Sequence, residues 1–170
     1  MKKKPTIITI LLIILIIIIS YPIYMLQILE GAKGTQVIYE TRTKIYDKFT
    51  IKWIHSVSKQ PVLETYEIQK DLSIKIYEMI FNENGPNLPA GPEQGTKWEI
   101  KDGKFRVYNY SLVFNEVPVR IGQVIADHTF IYGNIEFPLK EISRPGGFVR
   151  IKVVKTSLGK YIFGGILNDQ

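Results

Sequence analysis

The opening of the chain, MKKKPTIITILLIILIIIISYPIYMLQILEG, constrains it more than any other feature. Behind Lys2, Lys3 and Lys4, no charged residue occurs from Thr6 to Leu29, and Glu30 is the first acidic one. Threonines, Ser20, Pro22 and Gln27 are the only interruptions of the apolar run. A helix needs about 20 apolar residues to cross roughly 30 Å of hydrocarbon. Residues 6–29 are therefore expected to form one membrane-spanning anchor in contact with lipid. A cleaved signal peptide is the alternative, but no small-x-small cleavage site comes after the aliphatic core. The lysines favour the inner face of a membrane. They make residues 1–5 a cytoplasmic tip and place the rest of the chain, beyond the anchor, outside the cell membrane in a single-pass arrangement.

Charge and cysteine content narrow the function classes. Three of the chain's formal +6 charges are the N-terminal lysines, so +3 remains for the exported part. No basic run interleaved with aromatics occurs after residue 32, and nucleic acid is not an expected partner. The chain has no cysteine, which excludes a disulfide framework, thiol chemistry and a lipid-modified N-terminal cysteine. The exported part, about 135 residues, is long enough to hold together by its core as one domain.

From Val37 onward, short alternating runs rich in β-branched and aromatic residues succeed one another: TQVIYE, KFTIKWIHSV, VLETYEIQK, LSIKIYEMIF, TKWEI, FRVYNY, HTFIYG, IEFPL, FVRIKVV and KYIFGG. Gly, Pro, Asn and Asp punctuate them. The pattern predicts an all-β fold, a single antiparallel β-sandwich or small barrel over 37–170, tethered to the anchor by residues 30–36. KDGK (101–104) and YGNI (132–135) read as two-residue hairpin turns, and SLGKY as a third. The longest segment without strand character is residues 82–96, NENGPNLPAGPEQGT. A loop of that length in a compact domain is usually functional.

Only two histidines occur, His55 and His128. If KFTIKWIHSV and VLETYEI form a hairpin, Phe49, Ile51, Trp53 and His55 share one face by strand alternation. Taking SKQP as the turn, with Pro61 at a strand start, the register sets His55 opposite Glu64 and Trp53 opposite Tyr66. An imidazole facing a carboxylate is a structural clasp, an acid–base couple or half of a metal site. His55, Glu64 and His128 together would make a two-His, one-carboxylate metal set. Ser56 points to the opposite face, so a Ser-His-Glu triad is not expected. Ser58, Thr65 and Tyr66 are the other nearby hydroxyls. Glu64, Glu67 and Glu78 alternate among apolar residues, as a solvated strand face does and as a glycosidase pair would. RPGGFV (144–149) reads as a turn without the subsequent helix that a phosphate cradle needs. No catalytic motif of any specificity is present, and no cofactor is expected.

Five short motifs, IHSV, PVLETY, NGPNLPAG, VRIGQVIADHTF and GGFVRIKV, occur in that order over residues 49–154. In them the chain resembles a family of small exported proteins, a domain of unknown function encoded beside TAXI-type TRAP transporter permeases. Two positions depart from the family pattern. Ser58 stands where an acidic residue is common, and Asn87 stands where the loop usually has its second glycine. The resemblance implies a non-enzymatic accessory role in solute uptake, with a TRAP permease or its solute-binding protein as partner. It also implies that His55, Glu64, His128 and the loop residues Gly85, Leu88, Pro89 and Gly91 form a shared contact pattern. A small ligand- or metal-binding exported module is the alternative, and an exported hydrolase a weaker one.

Overall fold

The computed structural model describes residues 6–92 and 95–167. Pro22 organises the start of the chain. Helix α1 (Ile7–Ser20) is capped by Thr6, whose side chain accepts from the Thr9 N–H at 3.4 Å. A residue before proline is driven out of the helical region, and Tyr21 lies at φ −59°, ψ 127°. The chain leaves the helix there and enters strand β1 (Pro22–Glu30). No side chain of α1 is buried, whereas Met25, Leu26, Ile28 and Leu29 of β1 are all 2 % exposed or less.

The single membrane-spanning helix expected over 6–29 is therefore replaced by a 14-residue helix and a core strand. Fourteen residues rise about 21 Å. Among the described residues no helix is long and apolar enough to cross a membrane. The basic tip at 1–5 lies outside the described residues. The expected tether, 30–36, is instead the loop of a hairpin. Glu30 N–H donates to Gln36 O at 3.0 Å, and the loop joins β1 to β2 (Val37–Thr43).

The remaining strands are β3 (Lys48–Ile54), β4 (Pro61–Ile68), β5 (Ile74–Phe81), β6 (Lys97–Lys101), β7 (Lys104–Tyr108), β8 (Val113–Phe114), β9 (Val117–Arg120), β10 (Thr129–Tyr132), β11 (Ile135–Pro138) and β12 (Phe148–Ser157). A second helix, α2 (Leu158–Leu167), continues from β12. The strands make two antiparallel sheets. One runs β2-β1-β12-β9, and the other β11-β10-β3-β4-β5-β7-β6 with β8 on β5. Neither closes, so the barrel alternative is not realised. Leu26, Ile28, Val149 and Ile151 from the first sheet share one core with Phe49, Ile51, Ile68, Ile74 and Phe130 from the second.

KDGK and YGNI form the expected hairpin turns. Asp102 and Gly103 both take positive φ (52° and 73°), and Gly133 lies at 58°. SLGKY is not a turn and KYIFGG is not a strand; the first spans the junction of β12 with α2 and the second lies within α2. The two strands within VRIGQVIADHTF do not pair. β9 belongs to one sheet and β10 to the other, and residues 121–128 carry the chain between them.

Candidate functional site

The β3–β4 turn decides what His55 can do. His55 N–H donates to Gln60 O and Lys59 N–H to His55 O, each at 2.9 Å, with Lys59 at φ 58°. The turn is thus Ser56–Lys59, and β4 begins at Pro61, opposite Ile54. This sets Ile51 against Glu64, Trp53 against Val62 and Phe49 against Tyr66. The expected His55–Glu64 pair does not form, because the turn sits two residues earlier than SKQP. The shared face of Phe49, Ile51 and Trp53 is unchanged, since the slip is an even number of residues.

His55 is 3 % exposed and bonded at both ring nitrogens. Nδ1 lies 3.2 Å from the Ser58 N–H, which can only donate, so Nδ1 is the acceptor. The ring proton therefore sits on Nε2 and is given to Pro86 O at 2.9 Å. The imidazole pins the long loop to the β3–β4 turn. Within that loop, Leu88 N–H donates to Gly85 O at 3.1 Å. Pro86 and Asn87 are the corners of this turn, and Asn87 lies at φ 66°. Asparagine tolerates the positive φ that the third turn position needs, so Asn87 takes the role of the glycine usual there. Gly85 is required for another reason: a Cβ on it would stand 2.6 Å from His55 Cε1. Ser58 Oγ also lies 3.2 Å from Nδ1, but that nitrogen has one lone pair and already receives the Ser58 amide. The contact belongs to the turn.

His128 has the opposite situation. It lies in the 121–128 connection, half-buried, with its ring stacked on Trp53 at 6.2 Å between centroids and 20° between planes. Nδ1 is 2.8 Å from Ala126 O and 3.1 Å from Gly122 N. One nitrogen cannot donate to the first and accept from the second in a single tautomer. In either tautomer Nδ1 is engaged by the chain, and Nε2 has no partner among the described residues. Burial holds the His128 imidazolium below its ordinary range, partly offset by the Ala126 carbonyl and Asp127.

Trp53, Glu64, Tyr66, Arg120 and His128 line a cleft of about 330 Å³ between the β3–β4 face and β9. Glu64 accepts from Tyr66 OH at 2.7 Å and Trp53 Nε1 at 3.3 Å, so the carboxylate is held in place by two rings. Burial and this carboxylate push the Tyr66 hydroxyl far up, and they raise Tyr110 to about 12. Arg120 is exposed and makes no ion pair or hydrogen bond among the described residues. The cleft thus offers a cation, an imidazole, an aromatic wall and a fixed carboxylate.

The predicted site residues therefore separate. His55 and Gly85 make the clasp, and Glu64 and His128 belong to the cleft, with Trp53 between the two histidine rings. Leu88 is buried against Val62, Met79, Phe81 and Val107, Pro89 is half-buried, and Gly91 has open space around its Cα. No group of three histidines and carboxylates among the described residues is arranged to hold a metal ion. Glu67 pairs with Lys48 at 3.5 Å and Glu78 with Arg106 at 2.5 Å, which makes them ion-paired strand residues. The sequence reading missed Arg120 altogether. Its only signal was an exposed position at the end of an alternating VPVR run, which many surface arginines share.

Residues 49–139 match the family described as Domain of unknown function (DUF1850). The matched segment runs from β3 to the start of the 3-10 turn after β11, and it contains every clasp and cleft residue. Helices α1 and α2 and strands β1, β2 and β12 lie outside it. No curated protein and no solved structure matches the chain.

Proposed function

The chain belongs to the DUF1850 family, and we propose that it is a non-catalytic accessory module, attached to a membrane by α1 and acting outside the cytoplasm beside a TRAP-type solute uptake transporter. Helix α1 carries the reading. Its leucines and isoleucines from Ile7 to Ile18 are 45–77 % exposed on every side. A helix that docks in a protein groove is apolar on one face, whereas one that is apolar all round is buried in a core or in lipid. The transporter partner comes from the resemblance carried by IHSV, PVLETY and the NGPNLPAG loop. The cleft around Trp53, Arg120 and His128 is the contact surface in this reading.

The test is a detergent pull-down of the full-length tagged chain from native membranes, with partners identified by mass spectrometry. Recovery of a permease or solute-binding protein with wild type, and its loss with Arg120→Ala in a chain shown to be folded, is the expected result. Absence of any transporter component would overturn the proposed role.

The cleft itself favours a second reading, a small-ligand module for a carboxylate-bearing solute held by Arg120 and stacked on Trp53. Titration of the detergent-solubilised chain with short mono- and dicarboxylic acids, monitored by Trp fluorescence with Trp53→Phe as control, distinguishes the two. Saturable quenching that disappears with Arg120→Ala would put ligand binding ahead of partner docking.

A further inference from the structure

Helix α1 is not the only apolar helix at its end of the molecule. β1 and β12 are neighbours, and Pro22 pairs with Ser157 at the last rung of their ladder. The chain enters β1 from α1 and leaves β12 into α2, so both helices project from the same end of these two central strands. They touch there. Leu158 N–H donates to Tyr21 O at 2.9 Å, and a Cβ on Gly159 would run into Ile19 Cγ2. Gly159 is what lets the two helices approach.

Helix α2 also exposes Tyr161, Ile162 and Phe163, at 42–54 %. Tyr161 and Lys160 border a cavity of about 610 Å³ that also reaches Lys155 and Gln27. A neighbouring cavity of about 760 Å³ is lined by Tyr21, Tyr24, Arg42 and Lys44. The strand register explains why these groups gather. Tyr24 pairs with Thr43 on one side and with Lys155 on the other, and Met25 pairs with Arg42. Arg42, Lys44, Lys155 and Lys160 are exposed and make no ion pair among the described residues. The acidic groups bordering the two cavities are already engaged: Glu40 accepts from Gln27, and Asp47 from Tyr132, Thr43 and the Lys44 amide.

We propose that α2 is a second lipid-contacting element, lying at the surface of an anionic leaflet beside α1, and that this tyrosine and lysine/arginine collar rests among the headgroups. The inference builds on the membrane reading of α1. The order of groups fits a bilayer edge. All-round apolar helix comes first, then tyrosines, which favour the interface, then cations, which anionic lipid attracts. Lysine stems lie along apolar surface while their ammonium groups reach the headgroups. A protein groove would ask for one apolar face on α2 but would not account for the cationic ring at the base of both helices.

The chain has no cysteine, so single-cysteine variants Ile13→Cys, Phe163→Cys and Lys101→Cys of the full-length chain can each carry one fluorescent label. They are reconstituted into phosphatidylcholine vesicles with or without phosphatidylglycerol, containing lipids with a quencher on the acyl chain. The expected result is strong quenching at 13, shallower quenching at 163 that deepens with phosphatidylglycerol, and none at 101. Replacing Lys155 and Lys160 by glutamine removes the phosphatidylglycerol dependence at 163. Quenching at 13 with an aqueous label at 163 would overturn the inference and leave the α1 anchor standing. An unquenched label at 13 would overturn the anchor reading and the inference with it. A label at 163 that is shielded from water yet not quenched would mean protein covers α2, and equal quenching in both lipids would remove the headgroup collar; either result contradicts the proposal.

Discussion

Helix α1 and strand β1 are adjacent in sequence, yet one buries no side chain and the other lies in the core. Hydrophobicity does not explain the difference, because the exposed helix is almost entirely isoleucine and leucine while the buried strand includes Tyr24, Gln27 and Glu30. Pro22 ends the helix, and the two strands waiting on either side of residues 22–30 take up the backbone hydrogen bonds of β1. The histidines repeat the contrast on a smaller scale. His55 has both nitrogens engaged by its own chain, while His128 presents one nitrogen without a partner among the described residues. In both comparisons the available partners decide what a group does, and apolar character or residue type alone does not.

Substitution separates the members of each pair. Ile28→Ala is expected to lower the unfolding free energy by about 2–5 kcal/mol, as for a fully buried aliphatic side chain. Ile13→Ala in the exposed helix should change it by less than about 0.5 kcal/mol. Denaturant melts of the two variants in detergent check this, and equal losses would break the comparison. For the clasp, Gly85→Val forces a side chain into the His55 ring, and His55→Ala leaves Pro86 O and Ser58 N–H without their partner. Each should cost about 1–3 kcal/mol and make the 82–92 loop more susceptible to limited proteolysis. His128→Ala should leave that loop as resistant as wild type.

The smallest expected effect is on the pH dependence of stability. The folded state holds His128 below its ordinary value of 6.5 through burial, so the unfolded chain binds the proton more readily. The stability His128 contributes is present above about pH 6.5 and is lost as pH falls toward the folded value. Melts at pH 7.5 and 5.5 should therefore converge in His128→Gln relative to wild type. An unchanged difference would show that other groups dominate the acid limb.

Most of the second sheet was legible in the sequence, because alternation and Gly- or Asn-containing turns are local signals. KDGK and YGNI placed two hairpins, and Pro61 was read as a strand start, where it lies. The register of β3 against β4 was not legible, because it depends on Lys59 adopting a positive φ and lysine carries no signal for that. β1 escaped because a continuous aliphatic run fits a buried strand as well as a helix. α2 escaped because its glycines and aromatics imitate a strand and turn. In the candidate site, the apolar face leading to Trp53 was visible, but the partners of each histidine were not. His55 is held by a carbonyl 31 residues away, and His128 reaches Trp53 only through the crossing of the chain between sheets.

The most direct test of the account is hydrogen exchange of the full-length chain in lipid nanodiscs and in mild detergent, resolved to peptides on either side of Pro22. Amides of residues 22–30 are expected to exchange only with global unfolding and equally in both media, while residues 7–20 gain protection in the nanodisc. Protection of 7–29 as one block that depends on lipid throughout would contradict the account, and so would rapid exchange of residues 7–20 inside the nanodisc.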